Sequence, residues 1–343
     1  MHRCLELAKI GLGNTYSNPL VGSVIVHKDK IIGEGFHHKA GEPHAEVNAI
    51  DSVKEKEQLK HATLYVNLEP CAHYGKTPPC ALLIKQSGIP KVVIGCTDSF
   101  SEVAGKGIEI LRTAGVDVHV GFMEAESREL NKRFFTFHEK RRPYVILKWA
   151  QTLDGLIDMD RTADNYGQPT WITNAISKKL VHKWRSQEQA ILVGVNTTLK
   201  DNPSLTTREW PGKSPVRVLI DRHINIPNSS KLLSGEVPTI VFTSKSTPDQ
   251  NNTKYINISL HQDLIPQILN GLFKENLQSV IIEGGKQILQ SFIDANVWDE
   301  ARLFIGNKMF LSGVSAPKIS GTIMLEEHLG DSRLFYYRNY LAK

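Results

Sequence analysis

Glu42-Pro43-His44-Ala45-Glu46-Val47, then Leu68-Glu69-Pro70-Cys71-Ala72-His73-Tyr74-Gly75-Lys76-Thr77-Pro78-Pro79-Cys80, is the text on which the reading of this chain turns. One imidazole, His44, and two thiols, Cys71 and Cys80, offer zinc three protein ligands. The fourth position stays open for water, which separates a catalytic zinc site from a closed structural one. A bound Zn²⁺ lowers the pKa of that water to about 7. Glu46 stands two residues beyond His44, near a helix start, and is suited to moving protons rather than to ligation. His73 could complete a four-ligand structural site, so that alternative stays open here.

The elements around this text alternate. An amphipathic pattern over 2–12 reads as a helix, and Val21–Val26 with Ile31–Gly35 reads as a hairpin across the Lys28-Asp29-Lys30 turn. Pro43 opens a helix through Ser52 at a position where its missing N–H costs nothing. Strands follow at 62–68, 91–96 and 116–120, and helices at 78–87, 107–114 and 124–139. That order predicts a three-layer α/β sandwich. At Lys140-Arg141-Arg142-Pro143 the pattern restarts, with strands at 143–150, 190–193, 216–220, 239–243, 279–282 and 300–305 and helices at 176–187 and 286–295. We therefore expect two α/β domains, 1–142 and 143–343, as a length of 343 residues also suggests. The segments 158–170 and 244–254 read as loops.

Composition narrows the functional classes. The net charge of +5 is mild, and no Lys/Arg run is long enough for a nucleic-acid arm. No stretch of 18 apolar residues occurs, and Glu6 and Lys9 interrupt any signal-like apolar core at the start. Four cysteines are too few for a disulfide scaffold in a chain this size. Cys4 and Cys96, in apolar settings, read as small core residues.

The zinc text resembles the nucleoside and nucleobase deaminases, whose signature is H-x-E followed by P-C-x-x-C. It departs from them in the eight residues between Cys71 and Cys80. That spacing, with Asn18-Pro19-Leu20-Val21-Gly22 and Gly41-Glu42-Pro43-His44-Ala45-Glu46, resembles the deaminase half of the bifunctional riboflavin-biosynthesis deaminase/reductases. The second half carries Leu147-Lys148-Trp149-Ala150-Gln151-Thr152-Leu153-Asp154-Gly155, Trp171-Ile172-Thr173, His182-Lys183-Trp184-Arg185, Asp201 through Arg208, and Ile281-Ile282-Glu283-Gly284-Gly285. It resembles the reductase half of the same family. Gly284-Gly285 between a strand and a helix also suits phosphate, because backbone can approach closely and a helix N-terminus attracts anions.

The resemblance implies a cytidine-deaminase-like first domain and a dihydrofolate-reductase-like second one. It implies one Zn²⁺ on His44, Cys71 and Cys80 with Glu46 catalytic, and NADPH contacted by Gln151, Trp171, Thr197, Asp201, Gly285, Lys286 and Gln287. Substrate contacts would be Asn18, His37 and Lys76 in the first domain and Arg185, Leu205, Arg208 and Glu283 in the second. The two arginines suit a phosphate, which guanidinium forks bind bidentately. The expected substrate is a diaminopyrimidinone ribosyl phosphate. The expected enzyme is a cytoplasmic homo-oligomer with no nucleic-acid or membrane partner. The loop 158–170 looks longer than in most of that family. A tRNA or DNA editor would want the C-x-x-C spacing and a basic aromatic groove instead. A scaffold with a retired zinc site would have no need of Glu46.

Overall fold

The computed structural model describes residues 1–72, 78–99, 104–162, 166 and 168–342. The chain divides into two compact units, Met1–Lys140 and Arg141–Lys343. The first runs α1 (His2–Ile10), β1 (Gly22–His27), β2 (Lys30–Phe36), α2 (Ala45–Ser52), β3 (Thr63–Leu68), α3 (Cys80–Gln86), β4 (Lys91–Cys96), α4 (Lys106–Thr113), β5 (Asp117–Val120), α5 (Glu124–Leu130) and α6 (Lys132–Lys140). Its five strands form one sheet in the order β2-β1-β3-β4-β5. The β1–β2 and β1–β3 pairs are antiparallel, and β3–β4 and β4–β5 are parallel.

Three apolar clusters explain the layering. Ile25, Leu64, Val66, Val92 and Ile94 on the strands meet Ala49 and Ile50 of α2, Ala81 and Ile84 of α3, and Ile108 and Leu111 of α4. Leu68 and Cys96 pack with Phe134 and Phe135 of α6, and Cys4 and Leu7 of α1 pack with Val24. Cys4 and Cys96 are fully buried. Where one helix was expected over 124–139, the chain forms α5 and α6 with Asn131 between them. The break falls where the Asn131 backbone leaves helical geometry, at φ −98° and ψ 21°. Its side chain braces a neighbouring segment, Oδ1 accepting from Leu20 N–H at 2.7 Å and Nδ2 donating to Leu20 O at 2.9 Å. Asn67 holds the same segment, bonding Gly22 N–H and Leu20 O. These two amides fix the chain that carries Asn18.

The second unit runs β6 (Tyr144–Gln151), β7 (Leu156–Met159), α7 (Ala175–Gln187), β8 (Ala190–Gly194), α8 (Val195–Asp201), β9 (Val216–Ile220), β10 (Thr239–Thr243), β11 (Thr253–Asn257), α9 (Leu264–Lys274), β12 (Ser279–Ile282), α10 (Lys286–Asp294), β13 (Glu300–Ile305), β14 (Gly313–Ser315), β15 (Thr322–Leu329) and β16 (Ser332–Arg338). Nine strands form a sheet in the order β11-β10-β9-β8-β12-β6-β13-β16-β15. The run from β11 to β13 is parallel, and β16 and β15 close it antiparallel. Every residue of β8 and β12 is buried, as a parallel sheet covered on both faces requires. β6 is buried until Lys148, where a charge enters at the carboxyl end of the strand. That end is where open parallel sheets bind ligands.

Candidate active sites

His44 is the residue before the first turn of α2, and its extended backbone turns the imidazole back toward the end of β3. Cys71 follows β3, and Cys80 begins α3. The two ends of this interval meet: Cys80 N–H donates to Cys71 Sγ at 3.3 Å, and Ala81 N–H donates to Cys71 O at 3.2 Å. An eight-residue gap can therefore serve as well as a two-residue one. His44 Nδ1 lies 3.5 Å from Cys71 Sγ and 3.3 Å from Cys80 Sγ. The three ligand atoms are all within 4.8 Å of one another. With Zn–S of about 2.3 Å and Zn–N of about 2.0 Å, a tetrahedral ion needs N···S separations of roughly 3.6 Å, so the donors fit zinc. Among the described residues this is the one cluster of His, Cys, Asp and Glu suited to a metal.

Electrostatics agree with a ligand role. The hydrogen bond from Cys80, helped by His44, holds the Cys71 thiol well down, to about 4. The same bond and burial hold Cys80 up. The pair thus carries one proton, and a dication displaces it, because a coordinating thiol is deprotonated outright. Glu46, 3% exposed, sits in the first turn of α2. Burial and the Cys71 charge push its carboxyl up to about 7, against the pull of His44.

Asn18 and His37 lie beside this centre. The His37 ring is 5.3 Å from that of His44. His37 Nδ1 is 3.1 Å from Pro43 O, which can only accept, so Nδ1 carries the proton. Nε2 then accepts from Asn18 Nδ2 at 3.0 Å. Burial lowers the His37 pKa, which keeps it in that neutral form. Lys76, and the alternative ligand His73, lie outside the described residues.

Sequence reasoning passed over Glu69. Its buried carboxylate accepts backbone N–H groups from Asp98, Gly105, Gly107 and Ile108 at 3.0–3.3 Å. It ties the loop before α4 to the Pro70-Cys71 turn. Gly107 packs so closely there that a Cβ would meet Pro70 O at 2.0 Å. Gly107→Ala is expected to cost about 1–3 kcal/mol, the usual penalty of overpacking. Because the clash falls on the residue before Cys71, the variant should also hold zinc less well. Denaturant unfolding and zinc content per chain check both.

In the second unit, the carboxyl ends of β6, β8, β9 and β12 open onto a cavity of about 730 Å³. Lys148, Thr197, Asp201, Glu283, Gly285, Lys286 and Gln287 line it, with Asp158, Arg161, Lys200, Arg222 and His223. Of the expected cofactor contacts, five line the cavity. Gln151 and Trp171 are not among the lining residues: Gln151 Oε1 accepts from Trp149 Nε1, and the Trp171 side chain is exposed. A Cβ on Gly284 or Gly285 would come within 3.1 or 3.2 Å of Thr197 Oγ1. Bare backbone before α10 therefore faces the cavity, as a phosphate at a helix N-terminus needs.

The expected substrate contacts form a neighbouring network. Arg185 Nη2 donates to Glu283 Oε2 at 2.9 Å, and Nη1 donates to Thr206 O at 3.3 Å. Lys148 Nζ is 3.9 Å from Glu283 Oε1. Burial raises the Glu283 carboxyl, but Arg185 and Lys148 outweigh it and the net shift is down. Leu205 is buried in the core, and Arg208 is exposed, donating to Ser204 and Thr206. His182, one turn before Arg185, accepts from Arg208 N–H through Nδ1 at 3.0 Å. Burial, with Arg185 and Arg208, pushes it down to about 4, so it stays a neutral acceptor. Asp154, at the turn after β6, accepts from Phe310 and Leu311 N–H and holds a loop.

The comparisons with known proteins cover both units. Residues 1–96 match the cytidine and deoxycytidylate deaminase zinc-binding region, and residues 143–321 match the RibD C-terminal domain. The chain is 41% identical over 354 residues to the riboflavin biosynthesis protein RibD of Aquifex aeolicus, covering 99% of this chain and 98% of that protein. It is 40% identical to RibD of Bacillus amyloliquefaciens, covering 93% and 86%. Among solved structures, a diaminohydroxyphosphoribosylaminopyrimidine deaminase/5-amino-6-(5-phosphoribosylamino)uracil reductase from Thermotoga maritima superposes with a TM-score of 0.89 at 37% identity, covering 99% and 97%. Acinetobacter baumannii RibD superposes at 0.87 and 31%, covering 98% and 97%.

Proposed function

The chain belongs to the RibD family of bifunctional riboflavin-biosynthesis deaminase/reductases, and from that premise we infer that Met1–Lys140 is the zinc-dependent deaminase and Arg141–Lys343 the reductase. It is an enzyme with a zinc-binding deaminase domain and a reductase domain whose family uses a nicotinamide cofactor. The observation that carries the first assignment is the convergence of His44, Cys71 and Cys80 within 4.8 Å, with buried Glu46 one turn away.

The reading of the first step is as follows. His44, Cys71 and Cys80 hold the zinc, which when bound supplies an acidified water. Glu46 takes a proton from the water as its oxygen adds to the amino-bearing ring carbon of the diaminopyrimidinone ribosyl phosphate. It would pass that proton to the ring nitrogen, then take the second proton from the added hydroxyl and give it to the amine, so that C=O forms as the C–N bond breaks and ammonia departs. Asn18, His37 and Lys76 orient the heterocycle and its ribosyl phosphate. Buried placement of Glu46 keeps bulk water from competing for its proton.

For the second step, Arg185 and Arg208 would take the phosphate and Glu283 would meet the substrate, with Leu205 buried in the core. Thr197, Asp201, Gly285, Lys286 and Gln287 of the cavity lining would hold NADPH, which when bound would supply hydride to ribose C1′ in its open-chain or imine form; Gln151 and Trp171 stand outside that lining. The protein's own contribution is alignment and shielding. A cytoplasmic homo-oligomer with no nucleic-acid partner is part of the same proposal. No helix among the described residues is long and apolar enough to cross a membrane.

Two measurements test it. Given the diaminopyrimidinone phosphate, the enzyme should release ammonia without NADPH, and nicotinamide absorbance should fall only after NADPH is added. A transition-metal chelator should abolish the first signal, with zinc restoring it. It should leave the reduction of already deaminated substrate essentially unchanged, because the one metal-suited cluster among the described residues lies in the first unit. Equal loss of both signals on chelation would overturn the assignment of the two steps to separate units.

A further inference from the structure

The cavity wall in the second unit contains a guanidinium that neither the motif reading nor the family resemblance assigns. β7 ends at Met159, and two residues beyond it Arg161 turns inward. Its side chain is 7% exposed. Nε donates to both carboxylate oxygens of Asp158, at 2.9 and 3.0 Å. Nη2 donates to Asp201 Oδ1 at 2.7 Å, and Nη1 donates to Gln168 O at 2.5 Å. Thr170 Oγ1 adds a bond to Asp158 Oδ1 at 3.1 Å, and Lys200 Nζ lies 3.9 Å from Asp158 Oδ2. Asp158, Arg161, Thr170, Lys200 and Asp201 all line the same cavity.

We propose that Arg161 is a positioning residue of the reductase, fixing the Asp201 carboxylate through Oδ1 so that its other oxygen is offered to the nicotinamide cofactor. The inference rests on the reading of Asp201 as a cofactor contact. Three features carry it. The fork joins Asp158 of β7, Asp201 at the end of α8 and the Gln168 carbonyl, so it fixes where Asp201 stands relative to the cavity floor. It separates two carboxylates that would otherwise share a wall, and like charges at close range force one of them to protonate. It also uses Oδ1 of Asp201, so the second carboxylate oxygen keeps its capacity to accept from a ligand hydroxyl or amide. A lysine offers a point charge and cannot span the three directions.

Among the described residues, the charged groups acting on Asp201 are Arg161, Asp158 and Lys200. Burial and Asp158 raise the Asp201 carboxyl, and Arg161, with Lys200, opposes them. Without Arg161 the raising influences are opposed by Lys200 alone, so Asp201 takes up its proton at higher pH. An ionised Asp201 is the acceptor form, so the acid limb of the reductase profile should move toward neutrality.

The experiment uses the full-length zinc enzyme carrying Arg161→Met, with NADPH as the probe and deaminated substrate. The KM for NADPH should rise about 10-fold, the low end for a lost charge-assisted hydrogen bond, with a smaller fall in kcat. The acid limb of kcat/KM for NADPH should shift to higher pH. Arg161→Lys should recover more of the pH limb than of the KM. Adding Asp158→Asn to Arg161→Met should move the limb part of the way back. Ammonia release by the same preparation, unchanged from wild type, reports that the chain is folded. An unmoved limb and an unmoved KM in Arg161→Met overturn the proposal. Asp201→Asn separates it from its premise. If that variant raises the NADPH KM while Arg161→Met does not, only the positioning role fails. If Asp201→Asn leaves the KM at its wild-type value, the cofactor contact itself fails and the positioning role with it.

Discussion

Replacing Glu46 with glutamine should cut ammonia release by about 10²–10⁴-fold, the range that a positioned general acid–base contributes, while zinc stays bound at one per chain. Glutamine keeps the volume of a side chain that is 3% exposed, so the packing around the first turn of α2 is preserved. It also leaves His44, Cys71 and Cys80 untouched. What it removes is the ability to take a proton from water and deliver it to nitrogen. Burial, with the Cys71 charge, raises the Glu46 carboxyl in the metal-free chain, and a carboxyl so placed beside the zinc ligands can take a proton and return it. Reduction of pre-deaminated substrate should be unchanged. Glu46→Asp, one methylene shorter, should recover part of the rate. Zinc assay, ammonia release and nicotinamide absorbance on the same preparations decide the matter. Ammonia release at the wild-type rate in Glu46→Gln would remove Glu46 from the mechanism.

The two sites were unequally legible in the sequence, for a physical reason. A metal centre needs donors within a few ångströms, and two short strings supply all of them: His44 beside Glu46, and Cys71 closed onto Cys80 by the Cys71–Ala81 backbone bond. Residue type and spacing were then sufficient. The reductase cavity collects one or two residues from each of several strand ends, and no local pattern marks Lys148, Arg222 or Lys200 as neighbours. Only Gly284-Gly285 carried a local signal, from close backbone approach. Arg161 and His182 act through bonds to Asp201 and to Arg208 N–H, 40 and 26 residues away, which a one-dimensional reading does not show.

The elements divide along the same line. β8 and β12, uniform apolar runs, were readable, whereas β15 has nearly every residue exposed and shows no alternation to announce it. β11 begins inside the polar stretch 244–254 that reads as a loop, because pairing with β10 rather than its own pattern makes it a strand. α9 carries Pro266 in its first turn, a tolerated position that hides a helix from a reader treating proline as a stop.

Replacing Arg185 with methionine should destabilise the second unit by about 3–5 kcal/mol, because it breaks a buried ion pair and leaves one partner charged. Arg185 and Glu283 are 11% and 9% exposed, and their contact is 2.9 Å. In the variant, burial still pushes the Glu283 carboxyl up, and Lys148 at 3.9 Å becomes the main cation opposing it. The sign of the pH dependence follows. The wild-type Glu283 carboxyl is depressed, so its stabilisation is present above the unfolded carboxylate pKa of about 4.3. It is lost as pH falls through the lower folded value. In Arg185→Met that depression is reduced or reversed. The stability gap between the two proteins should therefore be widest near neutral pH and narrow as Glu283 protonates in both. Arg185 also holds Thr206 O, so the loop bearing Arg208 loosens, and the KM for the phosphorylated substrate should rise by at least about 10-fold. Denaturant unfolding of the second unit at neutral and at acidic pH, with reductase kinetics, tests both parts. A gap below about 1 kcal/mol at neutral pH, or one that does not narrow on acidification, would show that the pair is solvated and that Glu283 does not depend on Arg185 for its charge.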